Sequence, residues 1–132
     1  MNVNEKGVKG LLKVMDDLQD KGYYTFTAFD DHSPVDLIAL SREGKTFKLQ
    51  VKYRTKDTRK VSEKYDIYAS SVVNGKRVPI DRTMIDGWAV YLADSKKVVY
   101  INIALFEGKN SLTIDPQKDY GELDEWFKSA PC

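Results

Sequence analysis

The residues of this sequence with the clearest potential for chemistry are Asp36, Gln50 and Lys52. Gln50 and Lys52 are two residues apart, so on a strand both side chains leave the same face. If the segment of Asp36 pairs with theirs in a hairpin, a carboxylate, an amide oxygen and an ammonium group converge at one edge. Phosphodiester hydrolysis suits such a set: the carboxylate holds a hard divalent cation, which lowers the pKa of a bound water. The lysine can orient or deprotonate that water.

Short turns and patterned strands are predicted to position this trio. Residues 35–41 are mostly apolar, which indicates a buried strand. Residues 46–54 alternate between apolar and polar side chains, as a strand with one buried face does. The turn at 42–45 joins the two into a hairpin. Residues 23–29 are aromatic and β-branched, so they predict a preceding strand and a three-stranded antiparallel meander.

Two helices are predicted at the ends of the chain. Residues 4–21 carry apolar side chains at helical spacing and end before Gly22, a typical C-terminal cap. Residues 120–128 predict a closing helix with Leu123, Trp126 and Phe127 on its apolar face. Between the helices, residues 65–73 and 76–80 predict a second hairpin around a type I′ Asn74-Gly75 turn. Residues 88–93 and 97–103 predict two more strands. The fold class is therefore α/β or α+β, with a mixed central sheet flanked by helices in one domain of 132 residues.

Composition excludes several classes of protein. No apolar run approaches the length of a membrane span, and the first residues lack the apolar core of a secretory signal. The single cysteine predicts a reducing, cytoplasmic setting, and with one histidine it cannot form a zinc cluster. A small-molecule enzyme has no support, because neither a phosphate-cradling glycine loop nor a Ser-His-Asp pattern is present.

Charge is unevenly distributed along the chain. The net charge is only +1, yet residues 45–64 hold eight basic and two acidic side chains. Such a segment is suited to phosphate binding. It can equally be a solvated loop, the commoner role of charged runs.

Several segments together resemble the PD-(D/E)XK nuclease superfamily. They are the helix ending at Lys21-Gly22-Tyr23, the run Val35-Asp36-Leu37-Ile38-Ala39, the run Leu49-Gln50-Val51-Lys52-Tyr53, and Ile85-Asp86-Gly87-Trp88-Ala89-Val90-Tyr91 followed by Val99-Tyr100-Ile101. The resemblance covers residues 6–115. It points to the small branch of archaeal Holliday-junction resolvases and of a homing endonuclease with glutamine at the motif's acidic position.

This resemblance implies a restriction-endonuclease-like fold and a metal-dependent DNA endonuclease, of homing or junction-cleaving type. Asp36, Gln50 and the Val51 carbonyl would bind Mg²⁺ or Mn²⁺, and Lys52 would be the catalytic lysine. The predicted contacts with DNA are Lys48, Arg54, Lys56, Arg59, Lys60, Lys64, Lys76, Arg77 and Arg82. Two active sites related by a two-fold axis would cut both strands, so a homodimer or a tetramer is expected.

One departure from the family pattern keeps a second hypothesis open. Many members carry a glutamate in the first helix, where this sequence has Leu11. With Leu11 and Gln50 both neutral, Asp36 is the only firm anionic ligand, and Asp81 or Asp86 would have to supply another. The alternative is therefore a nuclease-fold DNA-binding module with impaired chemistry. These residues can also have ordinary structural roles, with Asp36 in a turn, Gln50 and Lys52 on a solvated strand face, and His32 on the surface.

Overall fold

The structure is a computed structural model that describes residues 1–30, 32–56 and 64–126. It begins with helix α1, Val3–Asp20, which starts and ends within one residue of the predicted bounds. The Asn2 side chain caps its first turn by accepting the Glu5 N–H at 2.9 Å. Gly22, with a φ of +89°, then turns the chain away. On the inner face of the helix, Val14 and Leu18 are fully buried.

Nine strands follow the helix within the described residues. In chain order they are β1 Tyr24–Thr27, β2 Leu37–Leu40, β3 Thr46–Arg54, β4 Tyr65–Tyr68, β5 Ser70–Val73, β6 Lys76–Pro79, β7 Gly87–Leu92, β8 Lys97–Asn102 and β9 Ser111–Ile114. The central sheet has the order β1-β2-β3-β7-β8. The first three strands form the predicted antiparallel meander, and β3 pairs with β7 in parallel. The mixed central sheet is thus confirmed.

Two small antiparallel pairs lie outside the central sheet. β5 and β6 form a two-stranded ribbon closed by Asn74 and Gly75, whose φ values of 51° and 77° fit the predicted type I′ turn. β4 pairs with β9, a strand that the sequence analysis did not predict. The single strand expected over residues 65–73 is therefore wrong. The strand is interrupted at Ala69, between β4 and β5, where the Ala69 N–H bonds to the Asn110 carbonyl.

The predicted closing helix is also shorter than expected. The described part contains only a 3₁₀ turn at Leu123–Glu125, while residues 127 and 128 lie outside the described residues. Gly121 has a φ of +85°, and its N–H bonds to the Asp119 side chain at 2.8 Å. This turn conformation prevents a helix from starting at residue 120. A second 3₁₀ turn, Ile103–Phe106, follows β8.

Both faces of the central sheet are covered by apolar clusters. Alternation along β7 shows this directly, because Ala89 packs on the α1 side while Trp88 and Val90 pack on the other side. Every residue of β7 is buried, as expected for a central strand between two layers. Within the described ranges, no helix is long and apolar enough to span a membrane.

Candidate active site

Asp36 lies just before β2 and extends its pairing with β3. Its backbone N–H donates to the Leu49 carbonyl at 2.9 Å, and its Oδ2 accepts the Val51 N–H at 2.8 Å. These two bonds hold the carboxyl group against the middle of β3. Burial raises the pKa of Asp36, and the Val51 hydrogen bond and the charge of Lys52 offset only part of that rise. The carboxylate is therefore short of positive partners in the absence of a ligand.

Gln50 is oriented by a buried tryptophan on the neighbouring strand. The Trp88 indole N–H donates to Gln50 Oε1 at 3.1 Å, and Trp88 is completely buried. Because an indole nitrogen can only donate, the amide must present its oxygen to this contact. Gln50 and Trp88 are register partners on β3 and β7, so the pairing of the strands creates the contact.

Lys52 is half-buried, and its pKa is lowered to about 8. Burial is the main cause, the positive charges of Arg54 and Arg77 add to it, and Asp36 opposes it. A lysine with a pKa in this range can accept a proton near neutral pH more readily than an exposed lysine.

A groove of about 900 Å³ brings the sequence-predicted trio together. Asp36, Gln50 and Lys52 line it with Val51 and Arg54, and the β5–β6 ribbon forms the opposite wall. Asp36 and Val51 also line a second groove of about 690 Å³ against α1. That second groove contains Leu11. Asp36 thus lies between the ribbon side and the face of α1 that carries Leu11.

Glu5 points to a different part of the helix surface. It lines an apolar depression with Val8, Lys9 and Leu12, away from the groove that holds Leu11 and Asp36. Asp86, which with Asp81 was a candidate for the missing acid, accepts the Lys48 backbone N–H at 2.7 Å and supports the start of the β3–β7 pairing. The Asp86 carboxylate therefore has a structural partner, the Lys48 N–H.

Two residues that the sequence raised only as secondary candidates, His32 and Asp81, lie at the site. His32 and Asp81 both line the 900 Å³ groove, although Asp81 Oδ1 accepts hydrogen bonds from the Thr83 N–H and hydroxyl at 2.9 and 2.6 Å. Trp88 was part of the motif that carried the resemblance, but its contact with Gln50 was not anticipated. Only the register of β3 and β7 reveals it, and that register brings together residues 38 positions apart.

The residues predicted to contact DNA have different locations. Arg54 and Arg77 line the groove. Arg82 instead donates to the carbonyls of Phe106, at 2.7 Å, and Lys109, which ties β6 to the turn after β8. Lys56 lines a separate depression beside Asp94. Lys48, Lys64 and Lys76 lie outside the groove lining, and Arg59 and Lys60 lie outside the described residues.

The donor atoms at the trio fit a hard divalent cation rather than zinc. Asp36 offers a carboxylate, Gln50 an amide oxygen and Val51 a carbonyl, all oxygen ligands. Within residues 1–30, 32–56 and 64–126, no group of three or more His, Cys, Asp or Glu side chains is placed to hold a metal. Mg²⁺ often binds through one or two carboxylates and completes its shell with water and substrate phosphate. One carboxylate is compatible with that mode.

Comparison with known proteins identifies the family and the fold. A sequence model of the PD-(D/E)XK endonuclease family matches residues 1–121, so the chain belongs to that family. Among solved structures, the chain is similar to a bacterial homing endonuclease, I-Ssp6803I. The two share 13% sequence identity with a TM-score of 0.71, over 97% of this chain and 88% of the other. This likeness shows the restriction-endonuclease-like fold. A search of curated protein sequences finds no match.

Proposed function

We propose that the chain is a metal-dependent DNA endonuclease that hydrolyses phosphodiester bonds in the 900 Å³ groove. One observation carries the proposal: in a member of the PD-(D/E)XK family, Asp36, Gln50 and Lys52 line a single groove although they come from two strands. The Asp36 contact with the Val51 N–H holds the carboxyl group beside the strand that carries the other two residues.

Each residue of the trio has a defined role in this proposal. Asp36, Gln50 and the Val51 carbonyl would hold Mg²⁺ or Mn²⁺, which when bound supplies Lewis acidity and lowers the pKa of a water. Gln50 Oε1 accepts one hydrogen bond from Trp88 and keeps a second lone pair for a ligand. Lys52 orients the attacking water and accepts its proton, helped by a pKa near 8.

DNA would lie along the groove between β3 and the ribbon. A two-stranded ribbon fits the major groove, so β5–β6 would read bases. Basic residues would hold phosphates, which positions the duplex without reading its sequence. The similarity to a homing endonuclease favours a site-specific duplex cutter over a junction-cleaving enzyme. The single cysteine supports a reducing, cytoplasmic setting.

We also propose that two or four copies associate through exposed apolar side chains. Val8 and Leu12 are exposed on α1, and Phe26 is exposed on β1, an edge strand of the sheet. Soluble monomers rarely leave large apolar patches uncovered. A two-fold assembly would give the two active sites that double-strand cleavage needs. A chain that sediments as a monomer at micromolar concentration would contradict this arrangement.

The second candidate function is a DNA-binding module with impaired chemistry. It is favoured by Leu11, whose neutral side chain lines the second groove with Asp36 at the position where the family resemblance implies a glutamate. With Gln50 also neutral, Asp36 is the one carboxylate among the three proposed ligands. The second candidate predicts the same DNA affinity without cleavage.

Cleavage of supercoiled plasmid with Mg²⁺ or Mn²⁺ separates the two candidates. Wild-type protein should nick or linearise the plasmid, and EDTA should abolish the reaction. Asp36→Asn and Lys52→Met should each lower the rate by about 10²- to 10⁴-fold. Lys97→Met is the control, because Lys97 lies on the far edge strand β8 and donates to the Pro116 carbonyl at 2.9 Å. DNA binding without cleavage in either metal would favour the binding module.

A further inference from the structure

Arg54 is held in the groove by neutral groups. Its Nη1 donates to the Tyr53 carbonyl at 2.9 Å, and its Nε lies 3.4 Å from the Asp66 carbonyl. The side chain is therefore fixed in direction, while Nη2 has no hydrogen bond to any described residue. Burial, together with the charge of Arg77, lowers the pKa of Arg54. Its charge is thus held in an unfavourable environment.

Arg77 reaches the same groove from the β5–β6 ribbon. Its guanidinium lies 4.0 Å from the centre of the Tyr68 ring, and its Nη1 donates to the Ser70 hydroxyl at 3.2 Å. Tyr68 and Ser70 line the groove as well. Stacking on an aromatic face restrains a guanidinium without neutralising it. Arg77 is therefore preorganised with donors to spare.

The groove as a whole contains more positive charge than its own acids balance. Lys52, Arg54 and Arg77 line it, and across the described ranges none of the three forms an ion pair with a carboxylate. Of the two lining acids, Asp81 is occupied by Thr83, and Asp36 lies at the base beside Val51. Partly buried like charges repel one another unless an anion joins them.

We propose that Arg54 and Arg77 together bind the phosphate group that is to be cleaved, so that the ribbon contributes a catalytic residue to the reaction centre. This inference rests on the proposed function and deepens it. The two guanidinium groups come from opposite walls, and planar donors of this kind recognise phosphate oxygens in pairs. As water attacks, charge grows on the non-bridging oxygens of the phosphorus. Fixed cations stabilise that charge more than they stabilise bound DNA.

A consequence is that DNA recognition and chemistry share one element. The ribbon lies along the groove with Asn74 at its tip and Arg77 facing Lys52 and Arg54 across it. A duplex that binds the ribbon in the correct position would also bring its scissile phosphate into contact with Arg77. A duplex that seats it poorly would leave the phosphate without one of its two guanidinium groups. Specific sites would then be favoured in rate as well as in affinity.

The first arm of the test needs neither DNA nor metal. Inorganic phosphate that binds the native protein should raise its unfolding temperature. Arg77→Ala and Arg54→Ala should each lose at least about half of that phosphate-dependent shift. Arg42→Ala is a matched control, because Arg42 stacks 5.5 Å from the Tyr24 ring and donates to the Gly22 carbonyl, far from the groove. Equal shifts in all four proteins, measured against the same concentration of chloride, would overturn the proposal.

The second arm measures single-turnover cleavage at saturating DNA. Arg77→Ala should lower the rate constant by about 10²- to 10³-fold, the typical effect of removing one fixed charge-stabilising group. The DNA dissociation constant should rise only a few-fold, and Arg77→Lys should recover part of the rate. A loss confined to affinity would overturn the catalytic role of Arg77. If the wild type binds phosphate through both arginines but never cleaves DNA, the proposed phosphate binding by Arg54 and Arg77 stands and the endonuclease proposal fails.

Discussion

Two charged regions of this molecule differ in how completely their charges are paired. At the end of α1, Lys21 lies between Asp17 and Glu122, with N–O distances of 3.1 and 2.9 Å. The buried Tyr100 donates to Asp17 at 2.5 Å, and Tyr23 donates to Asp124. The Lys21–Glu122 and Tyr23–Asp124 contacts join the segment around residue 122 to the end of α1, and the Tyr100–Asp17 contact joins β8 to α1. We call this region the C-terminal cluster.

The groove shows the opposite arrangement. Lys52, Arg54 and Arg77 crowd together with neutral partners, and Asp36 lies in a partly buried position that raises its pKa. Charged groups that are paired with opposite charges stabilise the fold. Like charges without such partners lower the stability of the fold, and binding of an oppositely charged ligand can restore it. The difference agrees with a structural role for the C-terminal cluster, and it supports the proposal that the groove binds an anion together with a cation.

Two glycines test how tightly two parts of the chain are packed: Gly87, beside Trp126 of the C-terminal segment, and Gly7, in the second groove against α1. A Cβ at Gly87 would lie 2.2 Å from the Ile101 carbonyl oxygen and 2.6 Å from the Trp126 ring. Neither neighbour can move easily, because one is backbone and the other is an indole buried against the sheet. Gly87→Ala should therefore lower the free energy of unfolding by about 3 kcal/mol or more, measured by urea denaturation.

Gly7→Ala is the matched control for this prediction. Gly7 lies in α1 and lines the second groove, of about 690 Å³, with Leu11 and Asp36, and a Cβ there would meet nothing within 4 Å. Alanine in a helix is favoured over glycine by about 0.5–1 kcal/mol, so this variant should be slightly more stable. Similar destabilisation by both substitutions would show that the surroundings of Gly7 are packed as tightly as those of Gly87.

Local pattern was sufficient to predict the elements nearest the site. The alternation of residues 46–54 predicted β3 with its correct bounds, and the short turn at 42–45 predicted its antiparallel partner. Asp36, Gln50 and Lys52 could be named because that hairpin brings them together by local geometry alone. The Asn74-Gly75 turn was recognisable for the same reason, since few residues adopt positive φ at both central positions.

Contacts between distant segments could not be predicted in this way. The pairing of β4 with β9 joins residues more than 40 positions apart, and no local pattern marks Ser111–Ile114 as a partner. The hydrogen bond from Trp88 to Gln50 depends on the parallel register of β3 with β7. Arg77 was predicted only as a DNA contact, because the sequence does not show on which side of the ribbon the groove lies.

The smallest expected effect concerns Leu11, where a substitution can add a negative charge to the second groove. Leu11→Glu places a carboxylate in the groove that Asp36 and Val51 also line. Divalent-cation affinity rises with the number of negative ligands. We expect the dissociation constant for Mn²⁺, measured by isothermal titration, to fall by about tenfold, equivalent to about 1.4 kcal/mol. The substitution also removes apolar packing against the α1-side core, so some loss of stability should accompany the gain.

Leu11→Gln separates charge from shape, because glutamine matches glutamate in size and has no charge. If the charge of the new carboxylate causes the gain in Mn²⁺ affinity, Leu11→Gln should show the same loss of stability without that gain. Equal affinities in the two variants would place position 11 too far from the metal, and Asp36 would then act without an acid from α1. A wild type that binds DNA without cutting, combined with a Leu11→Glu variant that cuts, would identify this one side chain as the reason for the impaired chemistry. Cleavage by the wild type would instead show that Asp36, with phosphate and water, suffices to hold the cation.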